Sequence, residues 1–368
     1  VPGNHDHHLW EIARETHYLN YLNGLPPGAA LGEEWHITRL YQSGAEDYPE
    51  QRLLTGVARR YPFLRDLRVS TAYPNLGLRS PDAKRSVIFT HGHFIEPLYT
   101  LVSQLKHMIF QESPAPDTVL ELELENFAWI DFFWSTMGRS GDAGKQVQQI
   151  YERLASPKGR DDLSRRLAAG VVARFFSKDW YPDAVQRFAL DKLFEAFLDR
   201  AGAHDRIHTD DPLGPEAKRG LIAYVTGPLL RQVAHESRYT RMPEQLSVVF
   251  GHTHKPFEER LSMPGIAEPV DVFNTGGWVV DSVERQPLYG GAVVFVDDAL
   301  RCASLRMYNE SARDEAPAAV HVGALADHPL GASLARALGA AAPEADALTD
   351  ALELGIRIRA HALAARNT

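Results

Sequence analysis

The chain has 368 residues, of which 44% are hydrophobic and 24% charged, a globular balance that excludes disordered, collagen-like and coiled-coil readings. A net charge of -9 is the opposite of a basic nucleic-acid footprint, so no nucleic-acid partner is expected. The single cysteine, Cys302, excludes intrachain disulfides and cysteine-based zinc sites, and no apolar run reaches the roughly 18 residues of a membrane span.

The chain opens Val-Pro-Gly-Asn-His-Asp, which reads as a buried strand end entering a tight loop. A domain does not ordinarily begin this way, so the chain is expected to start inside its own fold, with any targeting segment upstream. A cytoplasmic location is then the default expectation. Residues 9–22 carry apolar side chains near helical spacing and end at Asn23-Gly24, a fair C-cap. Residues 26–50 read as loop and 51–60 as a second helix. Alternation predicts a strand over 67–73, and Ser-Val-Ile-Phe-Thr at 86–90 predicts a buried strand ending at His91-Gly92-His93.

From residue 94 to about 245 the strand signals vanish. Helix-period patterning covers 95–110, 118–137, 143–155, 161–176, 182–201 and 215–235, separated by Pro and Gly breakers. Strand chemistry resumes at 247–250 and 270–273, and a hairpin is expected from 291–296 and 301–307 around Asp297-Asp298. One long helix is expected in the tail, over 345–365. The chain thus divides into a core at 1–93 and 246–310, a helical insertion at 94–245, and a tail at 311–368.

Three loops, each following a strand-like run, carry the chemistry: Gly3-Asn4-His5-Asp6, Thr90-His91-Gly92-His93 and Gly251-His252-Thr253-His254. Paired histidines at strand ends beside an Asn and an Asp suit first-row divalent metals, which take imidazole and oxygen ligands. Taken alone, Gly-Asn-His-Asp fits a turn equally well; the three loops in this order favour metal. His7 and His8 open the first helix and read as solvated, as do His17, His36, His107, His204, His208, His235, His321, His328 and His361.

These loops resemble the last three of five signature motifs of the calcineurin-like metallophosphoesterases, and Asn-Thr-Gly-Gly-Trp at 274–278 is similar to the segment that follows the final motif. The resemblance covers about a hundred residues at the two ends of the fold. It implies an α/β protein: a four-layer α/β/β/α sandwich, incomplete at its N-terminus, with a large all-helical insertion. It implies Asn4, His91 and His252 as ligands of one metal and His254 as a ligand of a second, the ions being Mn2+, Fe2+/3+ or Zn2+. It also implies His5 as the acid that protonates the leaving group, with Asp6 orienting it. The expected reaction is hydrolysis of a phosphate mono- or diester by a hydroxide bridging two metals about 3.5–4 Å apart. No Gly-x-Ser-x-Gly or Walker-type loop competes with this reading.

The family's first two motifs, Asp-x-His and Gly-Asp-x-x-Asp/Asn, are absent: Asp6-His7-His8 fits only by sharing Asp6, and Gly141-Asp142 lacks the trailing residue. This agrees with a chain cut inside its fold, and the chain itself is expected to be inactive. The alternative is a catalytically silent binding or scaffold protein that keeps metal-loop residues; the intact His5-Asp6 pair argues against it. The insertion lies between His91 and His252, where a cap would control access. It resembles the shorter cap of bacterial lipid-A-precursor pyrophosphatases in position and helical character only. Its aromatic cluster, Phe127, Trp129, Phe132, Phe133 and Trp134, fits a bundle core better than a groove for an apolar part of the phosphoester substrate. Arg139, Arg160, Arg165, Arg166 and Arg174 read mostly as solvated.

Overall fold

The computed structural model describes residues 1–31, 35–110, 112, 114–136, 158–159, 161–162, 164–166, 211–237, 241–278, 287–310 and 320–366. Among the described residues it is a mixed α/β protein with two sheets. The larger has five strands: β1 (Asn75–Arg79), β2 (Arg85–Thr90), β3 (Gln245–Phe250), β4 (Phe257–Leu261) and β5 (Val270–Asn274). They lie in the order β1-β2-β3-β5-β4. β2, β3 and β5 run parallel, while the edge strands β1 and β4 are antiparallel to their neighbours.

The central strands are apolar on both faces because both faces are covered. On one side Ile88, Val248, Val270 and Val272 join Leu221, Val225, Leu229 and Val233 in one cluster. The latter four lie on α5 (Pro215–Tyr224), the π turn Val225–Leu229 and α6 (Leu230–Glu236). On the other side Val87, Val249 and Phe273 pack with Cys302 and against Val294 and Val296. Those residues belong to the second sheet, β6 (Gly290–Val296), β7 (Cys302–Asn309) and β8 (His321–Val322). Two C-terminal helices, α7 (Pro329–Ala340) and α8 (Ala342–Arg366), follow, and Ile356 with Leu352 of α8 packs against Tyr308 and Met307.

α1 (His7–Gly24) buries Trp10, Ala13 and Arg14, and α2 (Arg52–Ala58) is capped by the Gln51 side chain, which accepts from the Leu53 N–H. After β2 come two short 3-10 turns, His93–Ile95 and Pro97–Thr100, then α3 (Leu101–Ile109) and α4 (Val119–Trp129), which runs into the π turn Ile130–Thr136. α4 opens with a capping box between Thr118 and Glu121. α5 and α6 are bolted to the early part of the chain. The Glu236 carboxylate accepts the backbone N–H groups of Leu40 (2.8 Å) and Tyr41 (3.1 Å), and the Tyr224 hydroxyl donates to Asn75 Oδ1 (3.0 Å).

Several expectations need correcting. Residues 67–73 form no strand. The backbone there is extended but bonds loops instead: Val69 O accepts from Gln51 N, Thr71 N donates to Pro49 O, and Tyr73 O accepts from Thr38 N. The antiparallel neighbour of β2 is the segment just after, β1. The described part of the tail holds the expected long helix, as α8, and in addition the helix α7 and the short strand β8. The predicted helices at 143–155 and 182–201, most of 161–176, the Phe133 side chain, and Arg139, Arg160 and Arg174 lie outside the described residues. Arg165 and Arg166 are exposed and pair with Asp161 and Asp162. Among the described residues, no helix is long and apolar enough to cross a membrane.

Candidate metal centre

Because β2, β3 and β5 are parallel, the loops at their carboxyl ends emerge side by side, the place where open α/β sheets ordinarily bind ligands. These loops carry His91, His252 with His254, and Asn274–Trp278. The Asn4 loop, just before α1, meets them. His91 Nε2 lies 2.8 Å from Asn4 Oδ1 and 3.0 Å from His252 Nδ1. Asn4 is fully buried and His252 is 1% exposed. Three of the four sequence-predicted ligands are therefore brought together, with His91 in contact with both of the others.

Gly3 makes that contact possible. A Cβ at this position would sit 2.6 Å from His91 Cε1 and 2.7 Å from both ring nitrogens, so the imidazole lies directly on the glycine backbone. Gly3→Ala should therefore push His91 off the Asn4 loop. We expect a loss of about 1–3 kcal/mol in urea unfolding from overpacking, together with weakened Mn2+ binding in calorimetry; an unchanged midpoint would mean that the loop gives way freely.

His254, with a left-handed backbone (φ 61°), has its ring against Gly277 in the loop after β5. That loop and the His252–His254 loop are clamped together. The buried Asn274 amide donates to Thr253 Oγ1 (2.7 Å), and its carbonyl oxygen accepts the Gly276 N–H (2.7 Å). His5 is exposed and sits beside the cluster, its ring edge-on to Trp134 at 6.3 Å. Asp6 is also exposed, and its backbone carbonyl accepts from the Leu9 N–H at the start of α1.

The first part of the insertion lies directly over these loops. Tyr99 accepts from Asn4 Nδ2 at 3.1 Å, and its ring stands edge-on to His252 at 5.0 Å. Glu96 Oε1 lies 3.2 Å from His252 Nε2. The Ser135 hydroxyl bonds the His8 backbone N–H (3.1 Å) and lies 3.0 Å from His8 Nδ1. Trp134 is buried, whereas Phe132 is 61% exposed.

His7 is not solvated, and His8 is only half-exposed. His7 is fully buried, with Nε2 2.9 Å from Glu123 Oε1 and Nδ1 3.3 Å from Asp131 Oδ1. Tyr73 donates its hydroxyl to Glu123 Oε2 (2.9 Å). Burial opposes the charge on His7, but the bonds to Asp131 and Glu123 outweigh it and raise its pKa to about 9. His93, on the same wall, is driven the other way, well below the ordinary histidine value, by burial and by the charges of His252 and His7.

Sequence reasoning did not find Glu96, Tyr99, Tyr73 or Glu123. Only Glu96 left a signal, a lone carboxylate in the apolar run Phe94-Ile95-Glu96-Pro97-Leu98.

The donor set fits a divalent ion of the borderline class. Adjacent ligands on one ion with bonds of about 2.1 Å stand roughly 3 Å apart, close to the two separations observed here. Among the described residues, no three His, Cys, Asp or Glu side chains form a ready-made cage; the convergence here is two imidazoles and an asparagine carbonyl. No family model, curated protein or solved structure matches the chain.

Proposed function

We propose that the chain carries the metal-binding loops of a calcineurin-like metallophosphoesterase, a hydrolase of phosphate mono- or diesters. The observation that carries this reading is the contact of His91 Nε2 with both Asn4 Oδ1 and His252 Nδ1, where the Asn4 loop meets the carboxyl ends of the parallel strands β2 and β3. The helix layer, five-stranded sheet, three-stranded sheet and C-terminal helices are also the layers that an α/β/β/α sandwich requires.

Asn4, His91 and His252 would hold one ion, and His254, by the resemblance, would serve the other. The bound ions would polarise a phosphoryl oxygen and supply a nucleophile at neutral pH. His5, exposed next to Asn4, presents its imidazole to solvent and can hand a proton to the departing oxygen, an effect of about 100- to 10,000-fold. The exposed Phe132, on the turn packed over the Asn4 loop, offers an apolar surface to the remainder of a phosphoester.

Calorimetric titration with Mn2+ tests the first step. We expect one tight site in this chain, lost in Asn4→Ala, His91→Ala and His252→Ala and kept in His5→Gln. Binding that survives all three ligand substitutions would end the metal reading. Turnover of bis(p-nitrophenyl) phosphate is then to be measured in a longer chain that carries the family's first two motifs. There His5→Gln should slow hydrolysis with little change in metal affinity.

A further inference from the structure

We propose that Glu96 and Tyr99 are the positioning residues of this centre: Glu96 fixes the tautomer of His252, and Tyr99 fixes the amide of Asn4. The proposal rests on the metal reading above.

His252 has two ring nitrogens with different neighbours. Nε2 lies 3.2 Å from Glu96 Oε1 and Nδ1 lies 3.0 Å from His91 Nε2. An ionised carboxylate only accepts hydrogen bonds, so Nε2 carries the proton and the Nδ1 lone pair points to the centre. The opposite tautomer would set a lone pair against the carboxylate and a proton where the ion belongs. Carboxylate partners of this kind orient metal-binding histidines generally.

Asn4 poses the same problem in another form. One end of its amide donates and the other accepts. Tyr99 accepts from Nδ2 at 3.1 Å, which turns Oδ1 toward His91 Nε2 at 2.8 Å. A flipped amide would present an NH2 group, which binds no cation.

Both positioning side chains are buried, Glu96 at 7% exposure and Tyr99 at 0%. Their backbone is held as well. Glu96 N donates to His93 O and Tyr99 N donates to Glu96 O, both at 3.1 Å. Pro97 keeps Glu96 extended (φ -101°, ψ 130°). The two turns after His91 thus place a carboxylate and a phenol against two ligands brought in from distant parts of the chain.

The test separates orientation from mere packing. Long-range 15N–1H imidazole spectra of the metal-free protein at pH 8 should show His252 as the Nε2–H tautomer in the wild type and a tautomer mixture in Glu96→Leu. Mn2+ calorimetry should show affinity weakened about 10- to 100-fold in Glu96→Leu and in Tyr99→Phe. Glu96→Gln, whose carbonyl still accepts from Nε2–H, should restore most of the tautomer and most of the affinity. An Nδ1–H tautomer in the wild type, or wild-type affinity in folded Glu96→Leu and Tyr99→Phe, overturns the proposal. If the wild type itself binds no Mn2+, the metal reading fails, while the His252 spectra of wild type and Glu96→Leu still decide the role of Glu96.

Discussion

Glu123→Ala should destabilise the protein by about 3–5 kcal/mol, the cost of removing one member of a buried ion pair. Glu123 is 1% exposed and His7 is fully buried. The carboxylate receives His7 on one oxygen and the Tyr73 hydroxyl on the other. Its loss leaves the buried imidazolium with Asp131 as its remaining carboxylate, at 3.3 Å, and a buried phenol without this acceptor. Replacing His7 and Glu123 together by leucine should cost less than Glu123→Ala alone, since both fully buried charges are then gone and Asp131, the other partner of His7, is partly exposed.

The pair also sets a pH dependence. The folded-state pKa of His7, about 9, lies above its ordinary value of 6.5. Its contribution is therefore complete below about pH 6.5 and is lost as pH rises through 9. A shift of this size corresponds to about 3 kcal/mol. Urea unfolding of the wild type at pH 6.5 and pH 9.5 should show a loss of that order, and Glu123→Ala should flatten it. Equal slopes in the two proteins would mean that His7 is not charged in the fold.

Gly220→Ala should be strongly damaging, at about 3 kcal/mol. By intrinsic propensity alone, alanine within α5 would help by up to about 1 kcal/mol. Here the added Cβ would fall 1.9 Å from the carbonyl oxygen of Ile95 and 2.9 Å from its carbon. Both are backbone atoms that no rotamer change can move. α5 must then lift from the turn His93–Ile95, and Glu96, the next residue, must move with that turn. Mn2+ affinity should fall along with the melting temperature. Gly355→Ala, on the exposed face of α8, is the control: nothing lies within 4 Å of its added Cβ, so it should be neutral or slightly stabilising. Similar losses in the two variants would show that the contact at Ile95 is soft.

The sequence showed some of this molecule well, for reasons that lie in particular residues. β2 and β3 were visible because Val87, Ile88, Val248 and Val249 are buried on two faces, which leaves an unbroken apolar run. β1 was hidden by Asn75 and Gly77, and β4 by Glu258, Glu259 and Arg260, since an edge strand need not be apolar throughout. Residues 67–73 have the alternation of a strand because they are extended, but loops supply their partners. Asn4, His91 and His252 were legible as motif residues. The burial of His7 was not, because the carboxylates that compensate it lie 116 and 124 positions away. Glu96 and Tyr99 were silent for a similar reason: an orienting residue is defined by the atom it faces, which no local pattern records.

The parallel register of β2 and β3 limits how this protein can be shortened. Arg85 stands opposite Gln245 and Phe89 opposite Val249. The chain leaving Thr90 must therefore travel back the whole length of the sheet before it re-enters at Gln245. At about 3.3 Å per residue that return path is close to 20 Å, and parallel neighbours need a connection of roughly a dozen residues or more. Joining residue 93 directly to 246 is therefore geometrically forbidden, whatever the insertion does. Removing α5 and α6 would further strip the layer that covers Ile88, Val248 and Val272. There is no comparable upper bound, because doubling a loop adds only about 0.6 kcal/mol to the cost of closing it. A deletion confined to residues 137–210 respects both facts: the sheet sets a minimum length for the segment between its two middle strands and is nearly indifferent to the maximum.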